Sequence, residues 1–134
     1  MKRRTYLAGM LATAAEIGAA QVTKAPASKT RPIQLHLDLA VDPKREPEML
    51  SNFENLFRPT AQRQPGYIDL KLLKLSAALR GPAPAGGKYR FVLTFESEAL
   101  RQKWIASKDH EKVWPEIEKT LTNKNFDILV YDVY

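Results

Sequence analysis

One nine-residue stretch limits the possible folds more than any other. Ile33, Leu35, Leu37, Leu39 and Val41 alternate with Gln34, His36, Asp38 and Ala40. Successive side chains of an extended strand point to opposite faces, so a strict period of two predicts a strand with one apolar face. Such a strand needs partners in a sheet and a second layer over the apolar side.

The chain beyond it supplies both. Asp42-Pro43 reads as a helix cap followed by proline at the first helical position. Met49, Leu50, Phe53, Leu56, Phe57 and Thr60 recur at three- and four-residue spacing, which predicts an amphipathic helix that Pro59 kinks or ends. Gln64-Pro65-Gly66 is a turn signal. Residues 67–75 read as a second strand, with Ile68, Leu70 and Leu72 on one face. Leu72-Leu73 breaks that alternation and predicts a bulge there. The run 81–87 is a Gly/Pro/Ala loop. In the third strand, 88–95, Tyr89, Phe91, Leu93 and Phe95 oppose Arg90, Val92 and Thr94. Ser97 is a suitable cap for a helix striped by Leu100, Trp104 and Ile105. Ser107-Lys108-Asp109 resets the chain. His110, Val113, Trp114, Ile117 and Leu121 then share a helical face, with Pro115 marking a joint. Residues 126–134 form the last strand.

This order, β-α-β-β-α-β, is the ferredoxin-like α+β arrangement: a four-stranded antiparallel sheet with helices on one face. The open face would carry Gln34, His36, Asp38, Lys71, Arg90, Thr94 and Leu129 or Tyr131, a mixture of polar and apolar groups. An apolar terminal strand left as a free edge invites pairing with another chain. Both features predict a homodimer with sheets packed face to face and terminal strands exchanged.

Composition removes several alternatives. At 134 residues, 44% hydrophobic and 27% charged, the chain suits one globular domain. The absence of cysteine excludes disulfide scaffolds, thiol catalysis and zinc–cysteine sites. The only histidines are His36 and His110, so no metal site is expected. The formal charge is +6, of which Lys2, Arg3 and Arg4 against Glu16 place +2 in the first 20 residues. The remaining +4 is scattered and makes no nucleic-acid footprint. An RNA-recognition domain shares the strand and helix order, but the aromatics of the third strand face the helices, which leaves no stacking platform.

The amino terminus is read separately, with a boundary at residue 20. Residues 1–20 combine a basic start, a short, moderately apolar stretch and Gly18-Ala19-Ala20 at a cleavage position, the order of parts in a signal peptide. Arg3-Arg4-Thr5-Tyr6-Leu7 resembles the twin-arginine export motif. The expectation is export to the periplasm or cell envelope of a bacterium. The competing reading is an amphipathic helix that stays attached, favoured by Glu16. Residues 21–32 read as a linker and 33–134 as the folded domain, with no membrane span in the mature form.

Several pieces of this domain resemble the antibiotic biosynthesis monooxygenase family of dimeric α/β barrels. They are Leu35-His36-Leu37-Asp38-Leu39, Gln64-Pro65-Gly66-Tyr67, Phe91-Val92-Leu93-Thr94-Phe95-Glu96, Trp104-Ile105-Ala106-Ser107 and Val113-Trp114-Pro115. The resemblance spans residues 32–134. It implies a cofactor-independent monooxygenase for a small phenol, quinol or polycyclic aromatic. A non-catalytic ligand-binding or structural homodimer of the same fold is the alternative.

The haem-degrading branch of the family pairs a strand-one Asn with a helical Trp and a His ten residues after it. Here Trp104 is followed at that distance by Trp114, and strand one has no Asn, so haem chemistry is disfavoured. For the oxygenase branch, deprotonating an electron-rich phenol and holding the anion in a dry pocket would suffice. The candidates are His36 as base, Asp38 to orient it, and Arg90 or Lys71 as anion partner. Trp104, Trp114, Tyr67, Phe57 and His110 would contact the substrate. Against this stands core packing for the tryptophans and a polar dimer interface for His36 and Asp38.

Overall fold

The computed structural model describes residues 31–134, so the signal-like segment 1–20 and most of the linker lie outside the described residues. Strand β1 (Ile33–Leu39) leads through a 3₁₀ turn, Pro43–Arg45, into helix α1 (Glu46–Asn52). A π-helical turn, Phe53–Phe57, joins α1 to α2 (Arg58–Gln62). Then come β2 (Tyr67–Lys74), β3 (Tyr89–Phe95), α3 (Glu98–Ala106), α4 (Lys108–Glu118) and β4 (Ile128–Asp132). The sheet is antiparallel throughout, in the order β2-β3-β1-β4. This is the expected ferredoxin-like α+β fold.

The alternation of β1 behaves as its sequence predicts: Ile33, Leu35, Leu37 and Leu39 are all buried. They meet Tyr89, Phe91, Leu93 and Phe95 of β3 and, from the helical layer, Met49, Phe53, Phe57, Trp104, Val113 and Ile117. Burying one such side chain stabilises the fold by about 1.5–3 kcal/mol, so this layer is the main favourable contribution to folding. The far end of α4 returns to β1 through Thr122 N–H to Ala40 O (2.8 Å) and Asp42 N–H to Thr120 O (2.9 Å).

The structure corrects the sequence reading at four places. The bulge in β2 lies between Tyr67 and Asp69, not at Leu72-Leu73. It leaves Ile68 47% exposed and gives the inner face to Leu70 and Leu72. Of the two outcomes expected at Pro59, a kink or an end, the helix does not end there. A proline ring crowds the carbonyl four residues back and offers no N–H. The preceding turn widens to the π form, with Arg58 N–H bonded to Phe53 O, and the helical path continues to Gln62. Pro115 lies inside a continuous α4 rather than at a joint. Val113 and Ile117, on either side of it, are both buried, so packing holds the helix through the missing bond. Finally, β4 is shorter than the 126–134 segment expected.

Two turns depend on glycine. Gly66 has φ +85°, and a Cβ there would stand 2.5 Å from the Leu100 side chain. Gly87 has φ +138°, and a Cβ would stand 2.2 Å from the Leu39 carbonyl oxygen. The loop before β3 therefore lies directly on the end of β1.

Candidate active site

The residues singled out in the sequence separate onto the two faces of the sheet. On the open face, Asp38 accepts two hydrogen bonds from the Arg90 guanidinium, at 2.7 and 3.0 Å, across the β1–β3 register. The neighbouring His36 donates from Nε2 to Gln34 Oε1 at 2.7 Å, and its ring lies 4.7 Å from that of Tyr131. Asp38 therefore does not orient His36, because a directly opposed guanidinium occupies it. Partial burial pushes the His36 imidazole below its ordinary value, the Arg90 charge adds to this, and Asp38 opposes it. Lys71 lies on the same face, paired with Asp69. Leu73, Leu129 and Tyr131 add exposed apolar surface there.

On the inner face lies a cavity of about 210 Å³. Its floor is Leu35 and Leu37 of β1 and Phe91 and Leu93 of β3. The helices supply Phe57, Arg101, Trp104, Ile105, His110 and Trp114, and the carboxyl-terminal segment adds Phe126 and Ile128. The aromatic rings meet edge to face: Phe57 with Trp104 at 5.8 Å, Phe91 with Trp114 at 6.3 Å and Trp114 with Phe126 at 5.7 Å. Edge-to-face contacts of this kind are the arrangement that aromatic pairs favour, and they hold the rings in place.

Local sequence explains the placement. Ser107 ends α3 and caps α4: its Oγ donates to Trp104 O (2.7 Å) and accepts from His110 N–H (3.1 Å). One serine thus fixes the angle between the helices that carry Trp104 and His110. Burial among the rings pushes the His110 imidazole below its ordinary value, with Glu111 pulling the other way. Arg101 is engaged by Glu98 through two hydrogen bonds, at 2.7 and 2.6 Å.

Of the expected substrate contacts, Trp104, Trp114, Phe57 and His110 come together around this cavity. Tyr67 instead packs against the core at the Phe95 end of the sheet. His36, Asp38, Arg90 and Lys71 are separated from the cavity by the sheet itself. Sequence reasoning placed Phe91, Phe126, Leu35 and Leu37 in strands without assigning them to a site. The signal for Phe91 was its place on the inner face of β3. Nothing in the sequence marked Arg101.

Two further hollows, of about 350 and 270 Å³, lie beside the 81–87 loop and share Lys74, Gly87 and Lys88. They are larger but more open, and their charged groups are largely committed: Lys74 and Tyr89 both bond Glu46, and Arg90 bonds Asp38. The inner cavity is therefore the candidate site. Among the described residues no three His, Asp or Glu side chains converge as a metal site requires, and no helix is long and apolar enough to cross a membrane.

Fold and cavity together define a ferredoxin-like α+β domain with an aromatic chamber between its layers. The same fold occurs in a protein described as a "putative antibiotic biosynthesis monooxygenase" from Bordetella bronchiseptica. The TM-score is 0.63 at 16% identity, over 78% of this chain and 98% of that one. One of the same description from Caulobacter crescentus gives 0.62 at 15% identity, over 81% and 95%. A conserved protein from Methanosarcina mazei gives 0.59 at 16% identity, over 79% and 96%. No protein-family model and no curated protein matches the chain. The chain thus has the fold borne by these antibiotic biosynthesis monooxygenase structures, as its sequence resemblance implied.

Proposed function

We propose that the protein is an oxygenase for small aromatic compounds that carry a phenolic hydroxyl, acting in the inner cavity without a resident cofactor. The observation that carries this reading is the ring-lined chamber of about 210 Å³. A dry apolar cavity of about 150 Å³ is enough to hold benzene. The chamber lies below the roughly 300–1,000 Å³ usual for small-molecule sites, which favours one or two rings over a larger polycycle. The fold shared with the monooxygenase-named structures agrees with it.

The chemistry asks little of the protein. Loss of the phenolic proton makes the ring an electron donor. The phenolate passes one electron to dioxygen, and the radical pair recombines at a ring carbon bearing hydrogen, forming a C–O bond. The O–O bond then breaks as that carbon gives up its hydrogen, leaving a quinone carbonyl and one water. The substrate supplies all four electrons, and the protein's part is to accept a proton and exclude water. Since His36, Asp38 and Arg90 lie across the sheet, the proton acceptor for a ligand in this chamber has to come from the chamber's own lining.

The test is oxygen uptake by chelator-treated protein with a panel of one- and two-ring phenols and hydroquinones. The expected result is stoichiometric quinone formation, lost on Trp104→Ala. No uptake across the panel would refute the oxygenase reading and leave a ligand-binding protein. We also propose a homodimer through the open sheet face, where Leu73 on one edge strand, β2, and Leu129 and Tyr131 on the other, β4, are each 46–49% exposed.

A further inference from the structure

We infer that His110 is the hydrogen-bond acceptor that reads a ligand's hydroxyl in the inner cavity, and that it makes the site select neutral hydroxyaryl compounds over ethers and carboxylates. This rests on the cavity being the ligand site, as proposed above, and adds to it the group that decides which aromatic is taken.

The argument is one of elimination among lining side chains. Most of them are hydrocarbon. Arg101 and the two indoles can only donate hydrogen bonds. Arg101 is moreover paired with Glu98 through Nε and Nη2 along one edge of its guanidinium, so its charge is compensated. His110 is the one lining side chain with an acceptor atom.

Its ring is held without using that atom. It stands edge-on to Trp104 at 4.9 Å and nearly parallel to Trp114 at 6.2 Å. Its backbone N–H is fixed by Ser107. Among the described residues no protein group hydrogen-bonds either ring nitrogen. A neutral imidazole keeps one nitrogen as acceptor and the other as donor. Burial among the tryptophans favours that neutral form; of the nearby acids, Glu111 opposes it and Asp109 is engaged by Gln64 Nε2 at 2.9 Å.

A ligand hydroxyl placed against this nitrogen gains a partner in an otherwise apolar chamber. An ether of the same shape leaves the nitrogen unpaired, and a carboxylate would enter without a counter-charge. The same contact is where a phenolic proton would leave.

The chain's two tryptophans both line the cavity, so tryptophan emission, excited selectively over tyrosine, reports on this site. The probes are p-cresol, 4-methylanisole and 4-methylbenzoate, which share one ring and differ in the polar group. Full-length wild type should bind p-cresol about tenfold more tightly than 4-methylanisole, which is what one hydrogen bond at a half-buried acceptor carries, and 4-methylbenzoate weakest. His110→Phe keeps an aromatic ring between the tryptophans and removes the acceptor. It should bring the cresol-to-anisole ratio to near one. His110→Gln, which retains an acceptor, should keep part of the preference.

Equal binding of cresol and anisole by wild type, or a preference that survives in His110→Phe, would overturn the inference. Cresol binding that depends on His110 without any oxygen uptake would sustain it and remove the oxygenase reading. Failure of every probe to perturb the tryptophans would remove both.

Discussion

Gly87→Ala isolates a contact that holds the site's framework together. The φ of +138° alone costs an alanine about 1–3 kcal/mol. The added Cβ would stand 2.2 Å from Leu39 O, 2.3 Å from Leu39 C and 2.5 Å from Ala40 N. Reaching even 3.0 Å from that oxygen needs a separation of 0.8 Å between the loop and β1. Leu39 cannot yield it freely, because it is wholly buried and registered against Tyr89 on β3. Forced displacement of packed groups adds about 1–3 kcal/mol. The two costs sum to about 4 kcal/mol, and at about 4 °C or more per kcal/mol the melting midpoint should fall by about 15 °C or more. Gly81→Ala is the control. Its φ is +77°, but a Cβ there meets nothing within 4 Å, so only the backbone cost of about 1–2 kcal/mol applies. Thermal melts followed by far-ultraviolet circular dichroism compare the two. If Gly87→Ala melts within about 5 °C of Gly81→Ala, steric closure of the loop on β1 is not what holds it, and the reasoning fails.

Two further outcomes follow from the histidines and the open face. His36 and His110 are both held below the ordinary 6.5, so the unfolded chain binds more protons. Their stabilisation is complete above about pH 6.5 and is lost as pH falls through the folded values. Urea midpoints should therefore drop between about pH 7.5 and pH 5, and the combined His36→Gln and His110→Phe variant should flatten that drop; an unchanged slope contradicts it. Glu46, held below 4.5 chiefly by its hydrogen bond from Lys74, loses its contribution only at lower pH and does not confuse the measurement. For the open face, light scattering should give twice the monomer mass, and Tyr131→Glu should halve it. A wild-type monomer at micromolar concentration would refute the dimer.

The layered core was legible because β1, β3 and α4 obey single periodicities that burial enforces. The β2 bulge was not, since Leu72-Leu73 and Tyr67-Ile68 offer equal local cause and only pairing with β3 selects between them. Pro59 reads as kinking or ending its helix and Pro115 as marking a joint, yet packing carries the helical path past both. The site divides in the same way. Helical stripes put Trp104, Trp114 and Phe57 on the inner side of the helices, where they line the cavity. The i and i+2 spacing put His36 and Asp38 on one face, but it could not show Arg90 opposite Asp38, because cross-strand register is absent from spacing. His110 was legible as sharing a helical face with Trp114, but its approach to Trp104 comes from the tight joint at Ser107.

The strand order has a consequence during synthesis. β1 precedes the other three strands of the sheet and is central in it, yet its second neighbour, β4, is the strand that follows all the others in the chain. Until Ile128–Asp132 leaves the ribosome, one side of β1 presents a row of unpaired backbone groups beside Leu35 and Leu37. A nascent chain stalled or truncated before that point would offer a template for another chain's strand, so aggregation should peak for fragments ending just short of residue 128.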